Sequence, residues 1–426
     1  MKGDDDMQDI LLKKFFEMDR WEKAIATGVD KNIDKGELRK LCSPQFRALM
    51  CERLLNDNYE IAPPHQAEIP KDNGDMRIVY VNENVDRIFL SIANDLFFEM
   101  FPEFVHLCCK SYQKGIGCGK IVQQVSREMG TIQRNEVGFK ADLTKYFDTV
   151  PLRYIDNIFD RMEQKVGKSK IIDVVRKYYH TDLCFDVEGN LIEHYQSLKQ
   201  GCAVASFLAD AVLYDIDEAM NVFDGYYVRY SDDLLIIASN YGQAYNMLSE
   251  MLAEMEMSLN PKKVEFVYKD KWIKFLGFYI KGDMITLHKG RVKTFQKEIE
   301  SRTIKQRKIT LQRALNQVNA YLYKGDGMYS WATSVLPIIN VQKDIDEMNE
   351  FVLDCLRAVQ TGKRKIGGLG SVGDRKDFTI LRGTGKNVAA NRRKTNKEIE
   401  GYLSIRCMQN AILANRAVFE TLVREM

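Results

Sequence analysis

Histidine is scarce: the chain of 426 residues has five, scattered along its length, which argues against a histidine-based active site. No CxxC pair occurs, and the nine cysteines follow no regular spacing, with Cys108 and Cys109 adjacent. That excludes a zinc ribbon or a disulfide framework and suits a reducing compartment. No run of eighteen apolar residues is present, so no membrane span is expected. The opening MKGDDDMQDI lacks the apolar stretch of a signal peptide, so the expected location is cytoplasmic. Net charge is nearly absent too, at +2, and by itself says nothing about a polyanionic partner. What is present is a core-forming composition, 45% hydrophobic and 29% charged, which excludes dominant disorder. The length allows two or three domains or one multi-lobed body.

Charge is unevenly spread. Between Thr361 and Lys397 there are eleven Lys or Arg against two Asp, a tract able to neutralise phosphates, although an ordinary solvated tail has the same look. Apolar spacing predicts helices over Met7 to Asn58, divided near Gly28 and Asp30–Asp34 and stopped by Pro63-Pro64. Two short strands are predicted around Asp72-Asn73-Gly74-Asp75, a tight-hairpin signal. A helix over Val85–Phe101, a basic glycine-rich loop over Tyr112–Lys120 and a helix over Ile121–Met129 follow. Helices are expected again over Leu152–Glu163, Lys170–Tyr179, from Gln200-Gly201 through Met220, and over Tyr241–Ser258. Strands are expected at Val137–Ala141, within Tyr226–Ile237, and at Val264–Val267, Trp272–Ile280 and Met284–Leu287. From Arg291 to about Gln360 the pattern is helical, and Ile399–Val423 reads as a further helix. Without βαβ repetition, an α+β body with one antiparallel sheet fits best.

The chemistry-bearing residues are acidic. Asp142 follows a strand-like run, and Asp232-Asp233 lies between the apolar-rich segments YYVRY and LLIIA. An isolated Asp-Asp pair would read as an exposed turn. Acids flanked by buried strands are costly unless something cancels their charge. A hairpin turn would bring Asp232 and Asp233 to a strand end, and a neighbouring strand would add Asp142. Three carboxylates make an oxygen-rich site for hard divalent cations, magnesium above all, and two such ions suit phosphoryl transfer.

In these acids and the motifs around them, the chain resembles the reverse transcriptase family, in the family's motif order across about Ile69 to Gly277. Asp142-Leu143-Thr144-Lys145-Tyr146-Phe147-Asp148 is similar to the first palm motif, and Tyr230-Ser231-Asp232-Asp233 matches the Tyr-x-Asp-Asp box. The resemblance implies that Asp142, Asp232 and Asp233 bind metal and that Phe147 lies under the sugar of the incoming nucleotide. Gln200-Gly201 opens the next motif, whose glycine and serine lie near template and nucleotide; it departs from the common pattern by lacking proline near Ala203 and by carrying Asp210 for asparagine. Leu259-Asn260-Pro261-Lys262-Lys263 resembles the Leu-Asn-x-x-Lys element, with Lys263 the better match for the lysine near the triphosphate. Phe275-Leu276-Gly277 resembles the primer-grip turn, and Lys71 and Arg77 resemble the basic residues that hold incoming phosphates. Ser111-Tyr112-Gln113-Lys114-Gly115 resembles a loop that contacts template or nucleotide. A P-loop is excluded, because Lys120 lacks both the spacing and the following Ser or Thr.

The family implies a right-hand polymerase: an N-terminal helical region to 60, fingers over 61–141, a palm with an antiparallel sheet over 142–288, a helical thumb over 289–360 and a basic C-terminal region over 361–426. It implies two magnesium ions, with manganese as substitute, and dNTP substrates. The implied partners are a structured noncoding RNA template and its nascent cDNA, with the basic thumb and C-terminal region as RNA-binding candidates. No ribonuclease H or endonuclease pattern is evident. The altered second motif and the lack of an evident endonuclease point away from group II intron proteins, and the resemblance is taken to imply a divergent antiphage defence-associated branch. A retron-type enzyme, a template-independent DNA polymerase and an inactive RNA-binding scaffold are the alternatives.

Overall fold

The structure is a computed structural model that describes residues 9–27, 33–70, 75–113, 115–131, 136–306, 308–324 and 331–361, together with Tyr402 and Ile405. Four helices open it: α1 (Ile10–Phe15), α2 (Met18–Thr27), α3 (Lys35–Leu41) and α4 (Pro44–Leu55). Then come β1 (His65–Pro70), β2 (Met76–Val81), α5 (Asn84–Met100), α6 (Cys118–Thr131), β3 (Glu136–Asp142), α7 (Tyr146–Thr149), α8 (Leu152–Val166) and α9 (Lys170–Tyr179). The middle holds β4 (Leu183–Phe185), β5 (Leu191–Glu193), α10 (Ala205–Val212), α11 (Tyr214–Asn221), β6 (Gly225–Tyr230), β7 (Asp233–Ala238) and α12 (Tyr241–Glu254). Strands β8 (Glu265–Tyr268), β9 (Ile273–Phe275), β10 (Phe278–Lys281) and β11 (Met284–Leu287) precede helices α13 (Lys289–Arg302), α14 (Leu311–Asn319), α15 (Trp331–Ser334) and α16 (Gln342–Thr361).

Helices and strands mix as expected, but the single antiparallel sheet is corrected to three sheets, ordered β2-β1-β4-β5, β6-β7-β3-β8 and β11-β10-β9. One pairing, β1 with β4, is parallel. The single helix expected from Gln200 through Met220 is also corrected. Residues 200–204 form turns, and two helices follow, broken at Leu213. Helix α4 ends at Leu55, ahead of Pro63-Pro64: Asp57 takes a positive φ, and the amides of Asp57 and Asn58 return to the carbonyls of Leu54 and Arg53. The α6 helix begins at Cys118, so Gly119 and Lys120 belong to it rather than to the preceding loop. The predicted Asn-Gly turn lies outside the described residues, but the strands on either side pair antiparallel, His65 opposite Val81 through Pro70 opposite Met76. Of the helix expected over Ile399–Val423, only Tyr402 and Ile405 are described, and both are buried.

Two compact units emerge, Met1–Lys114 with Val137–Val267, and Gly115–Glu136 with Tyr268–Met426. The first has a continuous apolar core. In α5 the buried Ile88, Phe89, Ile92, Ala93, Leu96 and Phe97 recur at helical spacing, which puts one wide stripe inside. Phe207 of α10 meets Phe97 at a ring distance of 5.6 Å and Phe98 edge-on at 5.3 Å. The sheet β6-β7-β3-β8 is buried along β7, where Leu234 to Ala238 are each 3% exposed or less. This explains the unbroken apolar run there. In the second unit α6 packs on β10 and β11, with Ser126 Oγ donating to the Gly282 carbonyl at 2.7 Å. Gly119 has no room for a side chain, since a Cβ there would lie 1.9 Å from Ile338 Cδ1.

Candidate active site

The alternation of β3 ends at its last residue, Asp142, which the register sets directly opposite Asp233, the first residue of β7. Opposed residues of an antiparallel pair share a face, with Cβ atoms about 5 Å apart. Tyr230 at the end of β6 is the partner of Asp233 on the other side. Ser231 and Asp232 therefore form a two-residue hairpin loop. Ser231 has a φ of 57°, and Asp232 is not among the positive-φ residues. A positive φ at the first loop position alone is the II′ pattern, where glycine is the usual occupant.

Asp142 is 5% exposed, and Asp232 and Asp233 are half-buried. Burial raises the Asp233 carboxyl to about 6, with Asp232 and Asp142 adding to the shift. Asp232 is raised for the same reasons, burial first and the Asp142 charge second, against the pull of Lys263 and Arg77. The three acids thus repel one another in a partly desolvated place.

The cation that meets Asp142 is Lys263, whose Nζ donates to Oδ2 at 2.7 Å. Its position comes from the Leu-Asn-x-x-Lys segment: the Asn260 amide donates to the Asp142 carbonyl at 2.8 Å, and the Lys263 amide to the Asn260 carbonyl at 2.9 Å. Leu143 and Leu259 form a short antiparallel bridge just beside them. Among the described residues no group of three His, Cys, Asp or Glu side chains is already gathered at metal-holding distance. The donor set nevertheless fits a hard dication: oxygen only, partly buried, and mutually repelling.

Arg77 on β2 is exposed and within electrostatic reach of Asp232. Lys71 lies outside the described residues. Phe147 on α7 is half-buried, edge-on to Tyr146 at 5.6 Å, and its carbonyl accepts from the Leu198 amide at 3.1 Å. That bond ties α7 to the segment leading into Gln200. The Gln200 carbonyl in turn accepts from the Tyr80 amide at 2.7 Å, and Gly201 has a φ of 107°. A Cβ on Gly201 would stand 2.8 Å from the Tyr80 carbonyl oxygen, so this is a close backbone approach that only glycine permits. One side of the unit thus gathers Asp142, Asp232, Asp233, Lys263 and Arg77, and a web of backbone bonds joins Phe147, Gln200 and Gly201 to β2. Phe275-Leu276-Gly277 belongs to the second unit, as a two-residue turn between β9 and β10 with φ of 47° at Leu276 and 80° at Gly277.

Two charged residues escaped the sequence reading. Lys140, on β3, pairs with Glu265 at 3.1 Å and counters the Asp233 charge. Arg229 is fully buried, and its signal was a lone arginine inside the strand GYYVRY.

Residues 69–280 match the family model described as reverse transcriptase (RNA-dependent DNA polymerase). A reverse transcriptase domain is therefore present over those residues. No curated protein matches the chain. Among solved structures, a telomerase from Candida albicans in complex with a TWJ fragment of telomeric RNA is 13% identical, with a TM-score of 0.41, over 71% of this chain and 59% of that one. An apo telomerase from Candida tropicalis, truncated from the C-terminal domain, is 14% identical, with a TM-score of 0.43, over 61% of this chain and 63% of that one. The chain thus spans less than two thirds of either telomerase chain, and likeness of this degree carries no argument about activity. Among the described residues no helix is long and apolar enough to cross a membrane.

Proposed function

We propose, with the reverse transcriptase domain over residues 69–280 as premise, that the chain is an RNA-directed DNA polymerase working by metal-assisted nucleotidyl transfer. The observation that carries this is the opposition of Asp142 and Asp233 across β3 and β7, with Asp232 on the adjoining turn and both hairpin acids lifted by burial and mutual repulsion despite Lys263, Arg77 and Lys140. Asp142, Asp232 and Asp233 are the residues that would hold magnesium, or manganese in its place. Bound there, two such ions supply activation of a 3′-hydroxyl and neutralisation of the departing pyrophosphate.

The chain's own residues do the rest. Lys263 presents its ammonium beside Asp142, where a dNTP triphosphate would find it. Arg77 offers a fork of donors suited to phosphate oxygens. Phe147 supplies a flat ring beside the Asp142 motif, the right shape to exclude a 2′-hydroxyl by contact. Gln200, with its side chain, is the candidate contact to the primer–template or base pair, and Gly201 lets that segment lie close against β2. In this reading residues 61–141 are fingers, 142–288 the palm, 289–360 a helical thumb and 361–426 a basic RNA-binding region. The finer reading is an antiphage enzyme that copies a structured noncoding partner RNA into cDNA. It rests on the absence of proline near Ala203, on Asp210, and on the basic tract from Thr361 to Lys397.

The test is to sequence nucleic acids that co-purify with the wild-type chain in its native locus, beside an Asp232→Ala/Asp233→Ala variant. One enriched RNA, with complementary DNA only for the wild type, is the expected result. A branched RNA–DNA product would identify a retron. DNA without a complementary RNA would point to untemplated synthesis, and RNA without DNA, under conditions that activate the system, to a scaffold.

A further inference from the structure

The turn that carries Asp232 is gripped from behind. Segment Cys108–Lys110 runs along β6: the Arg229 amide donates to the Cys108 carbonyl at 3.0 Å, and the Lys110 amide to the Arg229 carbonyl at 2.9 Å. That alignment delivers Ser111 to the turn, fully buried, where its Oγ accepts from the Ser231 amide at 2.9 Å. The Ser111 hydroxyl donates to Asp210 Oδ1 at 2.5 Å, which leaves an oxygen lone pair free for the Ser231 N–H. On the other side of Ser231, Arg229 Nη1 donates to its carbonyl at 3.1 Å. The guanidinium is itself fixed by a fork onto Asp217, Nε to Oδ1 at 2.7 Å and Nη2 to Oδ2 at 2.6 Å, and by the Asp210 carbonyl at 2.9 Å. Tyr227 holds Asp217 Oδ1 from β6 at 2.8 Å.

Both backbone polar groups of Ser231 are therefore held by buried side chains from distant parts of the chain. Ser231 is also the one residue of the loop with a positive φ, a conformation that a residue with a Cβ adopts only when its surroundings impose it. A fully buried arginine is costly as a mere space-filler, and the four hydrogen bonds of this one, to the Asp217 carboxylate and to the Asp210 and Ser231 carbonyls, point to a directional role.

We propose that Arg229 and Ser111, backed by Asp217 and Asp210, form a two-sided clamp on Ser231 that sets the direction in which Asp232 and Asp233 project. They are positioning residues: they touch neither nucleotide nor metal and act through the turn. The proposal rests on the polymerase reading for its catalytic consequence, but not for the clamp itself.

The experiment uses the full chain with Ser111→Ala, and with Arg229→Lys as a second variant that keeps the charge but loses the fork. Hydrogen exchange of a peptide spanning Tyr230–Asp233 is measured without metal or substrate. It should quicken about tenfold in each, with the rest of the β6–β7 sheet unchanged, the effect of losing one buried hydrogen bond. In primer extension kcat should fall about tenfold while KM for dNTP holds. Adding Ser231→Gly to Ser111→Ala should restore much of kcat, since glycine takes the positive φ unaided. Unchanged exchange at the turn, exchange that rises equally across the sheet, or local loosening with kcat intact would each overturn the clamp as a positioning device. If the wild-type chain adds no nucleotide, the polymerase reading fails, and the exchange result alone decides whether the turn is clamped.

Discussion

Two carboxylate clusters adjoin one hairpin loop, and their charges are met in different ways. Asp210 and Asp217, behind the loop, have no exposure and share Arg229; the fork onto Asp217 and the Ser111 hydroxyl on Asp210 satisfy most of their oxygens. Asp142, Asp232 and Asp233, in front of it, are more open yet less satisfied. Lys263 meets one of them, and burial with mutual repulsion lifts the other two. The fold sets a buried arginine fork among the acids behind the loop and only less buried cations, Lys263, Arg77 and Lys140, near those in front. Asp210 is lifted to about 6 by burial too, with Arg229 the largest opposing charge; at the front the neighbouring acids are the next cause after burial, and a bound cation there would relieve that repulsion.

The sharpest way to break this comparison is to take one acid from the front. Asp232→Asn should lower nucleotide incorporation about a thousandfold or more, since it removes a ligand acting in the transition state, while urea denaturation shows no loss of stability. A loss of stability matching the loss of activity would make the front cluster structural after all. Next in size is the back cluster. Arg229→Met leaves Asp217 buried and unpaired, and should cost about 3–5 kcal/mol in urea unfolding, most of it recovered by adding Asp217→Leu. No recovery in the double variant would mean that the ion pair is more than self-compensating.

The third test concerns pH. Asp233, held at about 6, binds its proton more tightly in the folded chain than in the unfolded one. The wild type therefore loses stability as pH rises from the usual carboxylate range through about 6, and Asp233→Asn escapes that loss. At pH 7 and without metal the variant should be more stable by about 1 kcal/mol, a figure reduced for solvent screening, with the difference vanishing near pH 4. Thermal or urea unfolding across that range checks it; a constant difference would assign the gain to packing. Smallest is Lys263→Met. Its side chain is 55% exposed, so the pair with Asp142 should contribute within about 0.5 kcal/mol, whereas KM for dNTP should rise severalfold.

The front cluster was legible in the sequence because each part has a short-range signature. The Asp-Asp pair interrupts two apolar runs, Asp142 ends another, and the Asn260 segment places Lys263 by local backbone bonds. Arg229 was not legible. It breaks the apolar alternation of β6, but its partners are 12 and 19 residues back, and nothing local tells a buried arginine from one at a sheet edge. Strands β4 and β5 have three residues each, too few for alternation to show, so the sheet they complete around β1 went unread. The break at Leu213 carries neither glycine nor proline; α10 is buried almost throughout and α11 buries Ile216, Asp217 and Met220, so packing rather than local preference divides them. The hairpin of β1 and β2 and the stripe of α5 were plain, because turn chemistry and helical spacing each act within a few residues.

The seam between Gly201 and Tyr80 has a mechanical consequence. A backbone bond of 2.7 Å and an approach too close for any side chain join the Gln200 turn to Tyr80 near the C-terminal end of β2, and Arg77 sits three residues away on that strand. A hairpin fastened this way cannot slide over the turn beneath it; it can only tilt about the seam as a stiff lever. Any displacement at the exposed end of β1 and β2 would then reach Arg77 and the Gln200 backbone together, in fixed proportion.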